Sequence, residues 1–177
     1  MVAKNKAVFL DRDGVLVKCI IRDKKGYAPK NMKEFSLYRD ISSPCLKLKK
    51  KKFLIIVITN QPDIGEKLIK IKVFKKMNEI IKNKIFYDKI YVSKSHSSNS
   101  YFRKPNPGLL KLAIKKYKLD ISKCFMVGDR KSDIDAANKI RCKSIFINRK
   151  YAEQKPKEQI AQVNSLKEAV KVILRKS

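Results

Sequence analysis

The sequence predicts an α/β fold, a three-layer sandwich with a central, mostly parallel sheet and helices on both faces. Three observations lead there. Five short apolar runs, at residues 7–10, 53–58, 89–92, 124–127 and 144–147, have the length and near-continuous hydrophobicity of buried parallel strands. Helical patterns lie between most of them, and strands alternating with helices argue for a parallel sheet covered on both sides. A polar or charged residue ends each run: Asp11, Thr59, Ser93, Asp129 and Asn148. In open α/β sheets these strand ends are where ligands bind.

The first run leads directly into Asp11. Residues 17–43 follow with no clear period and are expected to form a loop or a small flap over the site. The second run is preceded by the dense lysine stretch Lys49 to Lys52. Residues 66–84 then carry Phe74, Met77 and Ile81 at helical spacing. Beyond the third run, residues 106–118 place Leu110, Ala113, Ile114 and Tyr117 at i, i+3, i+4 and i+7, with Lys111, Lys115 and Lys118 on the opposite face. After the fifth run, residues 150–157 read as a charged, exposed loop. Ser165 and Glu168 form a capping box for a last helix with the stripe Leu166, Ala169, Val170 and Ile173. No repeat and no second domain is visible, so residues 1–177 are read as one domain, long enough to bury a core.

Composition narrows the functional classes. No apolar run reaches the roughly 20 residues a membrane helix needs. The stretch from Met1 to Lys6 has neither the apolar length nor the cleavage site of a signal peptide, so a cytoplasmic protein without membrane contact is expected. Cys19, Cys45, Cys124 and Cys142 are scattered, as reduced thiols would be. The formal charge is +28. It fits either a polyanionic partner or a compositional drift toward Lys, Ile and Asn, and in both cases the field draws in anionic substrates.

Four motifs carry chemistry. In Asp11-Arg12-Asp13-Gly14-Val15, two carboxylates two residues apart project from a strand end toward the same space. One can attack phosphorus while the other handles protons. Asp-Gly is also a common turn signal. Thr59-Asn60-Gln61 offers a hydroxyl and amides suited to phosphate oxygens, although a capping threonine reads the same way. Arg103-Lys104-Pro105 puts two cations before a helix whose start prolines mark. Gly128-Asp129-Arg130 through Asp133 places two scarce acids at one strand mouth. Asp11 with Asp129 makes the oxygen set a Mg²⁺ ion prefers. Asp133 serves equally as a negative charge at a helix start.

Together, in this order, the four motifs resemble the haloacid-dehalogenase-like (HAD) phosphatase superfamily, across roughly residues 7–148. Within it they look like the branch of the heptose bisphosphate and histidinol-phosphate phosphatases. The resemblance implies a Rossmann-like sandwich with little or no cap domain, and a Mg²⁺-dependent reaction through an aspartyl-phosphate. It implies Asp11 as nucleophile and metal ligand. Asp13 would be the general acid/base, reaching the metal through its carbonyl, and Asp129 the remaining ligand. Thr59, Arg103 and Lys104 would hold the phosphoryl oxygens. Asn60, Gln61 and Arg130 would touch substrate, and Asp133 would orient the metal site or Lys104 from behind.

This chain departs from that branch in three places. The zinc loop usual before Arg-Lys-Pro is absent: residues 93–102 hold His96 and no cysteine, so no zinc is expected and His96 reads as a loop residue. Leu16-Val17-Lys18-Cys19 follows the first motif where an Asn and an acid are usual, and Pro62-Asp63-Ile64-Gly65-Glu66 replaces a glycine-rich turn. The function expected is removal of the 7-phosphate from a phosphorylated sugar, D-glycero-D-manno-heptose 1,7-bisphosphate, by a monomer. The competing readings are a polynucleotide 3′-phosphatase, which the charge would suit, a histidinol-phosphate phosphatase, and a nucleic-acid-binding protein on an inactive scaffold. No aromatic stacking platform stands among the lysines to support a nucleic-acid partner.

Overall fold

The computed structural model describes residues 5–177; residues 1–4, part of the approach to the first strand, lie outside them. Among the described residues the sheet has six strands, all parallel: β1 (Lys6–Leu10), β4 (Phe53–Asn60), β5 (Lys89–Ser93), β6 (Phe125–Gly128), β7 (Lys143–Ile147) and β8 (Ala161–Val163), in the order β5-β4-β1-β6-β7-β8. The chain builds outward from β1 to one side, then returns and builds to the other. The reversal falls at β1 and β6, and such a switch point opens a crevice at the strand ends.

Alternation along the strands sorts the core into two layers. Val8 and Leu10 pack with Ile55, Val57, Phe125 and Val127 beneath α1 (Ser42–Lys50), α3 (Ile71–Ile85) and α6 (Leu166–Arg175). Ala7 and Phe9 point the other way, onto α4 (Gly108–Tyr117) and α5 (Lys131–Asn138). The three-layer α/β sandwich expected from the sequence is therefore the fold. Among the described residues, no helix is long and apolar enough to cross a membrane.

Several boundaries differ from the sequence reading for local reasons. The helix expected over residues 66–84 begins only at Ile71. Before it, α2 (Pro62–Gly65) is a separate turn, and Lys67 interrupts the path with a φ of +59°. The helix over 106–118 starts at Gly108, since Pro107 at its N-cap disfavours helical backbone at Asn106 before it, and it stops where Lys118 turns left-handed at φ +49°. Residues 17–43 contain a hairpin, β2 (Ile20–Arg22) with β3 (Lys25–Tyr27), turned by Asp23 and Lys24 at positive φ. The final helix is capped as expected: Ser165 Oγ accepts from Glu168 N at 3.2 Å, while the Glu168 carboxylate reaches back to Asn164 N at 3.0 Å.

Candidate active site

The switch point gathers the acidic residues. Asp11 continues β1, its N–H donating to the Val127 carbonyl at 2.9 Å, and Asp129 follows β6 beside it. Gly14, at φ +88°, turns the chain away from β1. Asp133 lies in the first turn of α5. Asp11, Asp129 and Asp133 are all buried, and each offers an oxygen within 4.8 Å of the others. Three carboxylates in so small a space repel one another, and Lys104 answers part of that charge. Its ammonium lies 2.7 Å from Asp11 Oδ1, 2.6 Å from Asp133 Oδ1 and 2.8 Å from the Ile58 carbonyl.

Electrostatics follow from burial. Desolvation works against the Lys104 ammonium, but Asp11 and Asp133 outweigh it and hold its pKa above the ordinary value. Burial pushes Asp133 up to about 6, against the pull of Lys104. Asp129 is raised well above the usual carboxylate range, first by burial and then by Asp11 and Asp133. Asp129 is only 2% exposed, and neither of its carboxylate oxygens has a hydrogen-bond partner. A buried carboxylate without partners is costly. One divalent cation held by Asp11 and Asp129 would satisfy those oxygens and balance the charge that Lys104 leaves over, so the residues present fit an oxygen-ligated metal.

An open cavity of about 510 Å³ lies over this cluster, lined by Asp11, Asp13, Thr59, Asn60, Arg103 and Arg130 among others. The structure thus brings most of the sequence-predicted site residues to one place, but it gives three of them other partners. Asn60, expected on substrate, uses both ends of its amide on the Lys104 backbone, donating to the carbonyl at 3.0 Å and accepting from the N–H at 3.1 Å. Gln61, also expected on substrate, is buried; its Nε2 donates to Asp13 Oδ2 at 2.5 Å and to Thr59 Oγ1 at 2.9 Å. Because Thr59 accepts there, its own hydroxyl proton is free to donate into the cavity. Arg130 donates to the Gly26 carbonyl of the hairpin and pairs with Glu153 at 3.4 Å. Arg103 stays at the cavity wall, steadied by one bond to the Ser95 carbonyl at 2.8 Å.

Residues 17–43, expected as a loop or small flap over the site, do reach it, though the sequence reading did not name which of them would. Cys19, Gly26 and Tyr27 bring the hairpin to the cavity. Tyr151, in the stretch read as an exposed loop, packs its ring where a side chain on Gly26 would stand, and Ala152 N donates to the Lys24 carbonyl at 2.8 Å. These contacts tie the hairpin to the segment after β7. Burial, with nearby Asp129, pushes the Cys19 thiol up to about 12, so it stays protonated. Tyr151 itself was missed, and its one available signal was an aromatic residue inside a charged stretch. In the segment at residues 93–102, Asn106 Nδ2 donates to the Ser98 and Ser100 carbonyls at 3.2 and 3.1 Å, and His96 pairs with Glu66 at 2.8 Å on the surface.

Comparison with known proteins shows the family. The HAD-hydrolase-like family model matches residues 101–169, which include Lys104 and Asp129. The chain is 30% identical over 147 residues to a D-glycero-beta-D-manno-heptose-1,7-bisphosphate 7-phosphatase of Helicobacter pylori, covering 79% of this chain and 82% of that protein. It is 34% identical over 149 residues to a D-glycero-alpha-D-manno-heptose-1,7-bisphosphate 7-phosphatase of Burkholderia mallei, covering 76% of this chain and 75% of that one. The fold is similar to a crystal structure of D,D-heptose 1,7-bisphosphate phosphatase from B. bronchiseptica complexed with magnesium and phosphate, with a TM-score of 0.82 at 18% identity, over 98% of this chain and 99% of that one. The chain belongs to the HAD-like hydrolases, in the family of the heptose-1,7-bisphosphate phosphatases.

Proposed function

We propose that the protein is a Mg²⁺-dependent phosphomonoesterase that removes the 7-phosphate of a D-glycero-D-manno-heptose 1,7-bisphosphate through an aspartyl-phosphate on Asp11. The names of the relatives support the substrate. The observation that carries the chemistry is the pairing of Asp11, held on one oxygen by Lys104, with the unpartnered buried carboxylate of Asp129.

In this reading Asp11 attacks phosphorus with the oxygen that Lys104 leaves free. Lys104 and the Thr59 hydroxyl neutralise and orient the phosphoryl oxygens, and Arg103 closes the cavity wall beside them. Asp13 gives its proton to the leaving alkoxide and takes one from the water that cleaves the aspartyl-phosphate. Asp11, Asp129 and the Asp13 carbonyl would hold Mg²⁺, which when bound supplies charge stabilisation to the phosphoryl group. Asp133 fixes Lys104 against the nucleophile. The hairpin wall, stapled by Arg130, faces the leaving group.

Phosphate release from alpha and beta heptose bisphosphates, histidinol phosphate and a 3′-phosphorylated oligonucleotide tests the proposal. A heptose bisphosphate should give the highest kcat/KM by a wide margin. Preference for the oligonucleotide at physiological salt would transfer the reading to polynucleotide 3′-phosphatase, the alternative that the +28 charge favours.

A further inference from the structure

The largest fully buried side chain among the described residues is a charged one. Arg12 stands between the two aspartates of the first motif with 0% exposure. Its Nη1 donates to both oxygens of Asp13, at 2.8 and 3.0 Å. Its Nε donates to Asn78 Oδ1 at 3.2 Å, its Nη2 approaches the Met77 sulfur at 3.3 Å, and the group lies 4.9 Å from the Phe74 ring centre. Phe74, Met77 and Asn78 all belong to α3. From the other side, Gln61 donates to Asp13 Oδ2 at 2.5 Å while anchored on Thr59. Burying a guanidinium carries a desolvation cost that an apolar side chain of the same size would avoid. Here the group is spent on orienting a carboxylate at the cavity wall.

We propose that Arg12 and Gln61 are positioning residues that lock the Asp13 carboxylate, through α3 and β4, in the orientation from which it exchanges protons with leaving group and water. The inference rests on the phosphatase reading. A carboxylate offers about four acceptor sites. Three N–H contacts occupy three of them, which leaves one for the cavity that Asp13 lines. That site serves both half-reactions. In the first, Asp11 forms a bond to phosphorus, the ester P–O bond breaks, and the leaving oxygen takes a proton from Asp13. In the second, water forms a bond to phosphorus, gives its proton to Asp13, and the bond to Asp11 breaks, releasing inorganic phosphate.

The test exploits the leaving group. An alkyl phosphate needs its leaving oxygen protonated; p-nitrophenyl phosphate departs as a stable anion and does not. The variants are Gln61→Met, which keeps the shape and removes the donor, and Arg12→Lys, which keeps the charge and removes the fork. A misplaced acid/base should lower kcat/KM on a heptose bisphosphate by about 10- to 100-fold. On p-nitrophenyl phosphate kcat/KM should stay within about threefold, and a burst of p-nitrophenol should appear as hydrolysis of the aspartyl-phosphate slows. If Arg12→Lys does not fold, Gln61→Met carries the test alone. Equal losses on both substrates, or none on either, would overturn the proposal, because a purely structural role cannot distinguish leaving groups. An error in the sugar assignment shows differently: wild-type protein would then turn over p-nitrophenyl and simple alkyl phosphates well and heptose bisphosphate poorly. The alkyl-to-aryl ratio would still be readable in the variants.

Discussion

Gly14 and Asp129 share one space: a Cβ on Gly14 would collide with the Asp129 carboxylate. Gly14 also holds a φ of +88°, a region that side chains disfavour. The turn that redirects the chain after Asp11 and the seat of Asp129 are thus one feature. Gly14→Ala should cost about 1–3 kcal/mol of stability from backbone strain, and more from the displaced carboxylate. Mg²⁺ affinity should fall with it. Thermal melts with and without Mg²⁺ check both, and an unchanged Mg²⁺ response would mean that Asp129 is not a ligand.

Asp11→Asn should leave the fold intact and remove turnover almost completely. An amide is a poor nucleophile and a weak Mg²⁺ ligand, and phosphate monoesters hydrolyse too slowly alone to leave a background. The measurement is kcat beside a circular dichroism melt. A folded variant retaining a tenth of wild-type activity, about 1.4 kcal/mol on the barrier, would remove Asp11 from the nucleophile's role.

The metal-free protein should lose stability as pH rises through the acid range. Asp133 moves from an ordinary value of 3.8 up to about 6, and Asp129 rises as well. Both bind a proton more readily in the folded chain than in the unfolded one. The penalty from Asp133 is therefore absent below about pH 4, grows between about 4 and 6, and persists above, and Asp129 adds a penalty of the same sign. Bound Mg²⁺ should remove it at neutral pH, adding about 2.7 kcal/mol when the ion stands a hundredfold above its Kd. Melting curves against pH in chelator and in Mg²⁺ should diverge as pH rises. Parallel curves would refute the shared site.

The positive field should speed capture of anions. Raising the salt concentration should lower kcat/KM on the sugar bisphosphate while kcat changes little, because screening acts on the encounter and not on the buried site. A salt titration measures this. A kcat that falls in parallel with kcat/KM would place the effect inside the site instead.

The sequence by itself determined the strands of the sheet core and the address of each motif. Buried parallel strands must be continuously apolar, so residues 7–10 and 53–58 announced themselves, and the polar residue at each strand end marked the crevice. The short elements escaped because they lack that signature. β8 has three residues, and the hairpin turns on Asp23 and Lys24 at positive φ with no glycine to signal it. Tertiary structure alone decided who faces whom. Asn60 and Lys104 stand 44 positions apart in the chain, and Arg12 and Asn78 stand 66 apart. Their partnership depends on how each crossover returns the chain to the strand ends. The family resemblance implied that Gln61, Asn60 and Arg130 touch a phosphorylated substrate. Which of those groups the protein itself would consume, on Asp13, on the Lys104 backbone and on the hairpin, was set by packing, since every donor buried at the site must find an acceptor and the nearest one is supplied by a distant segment.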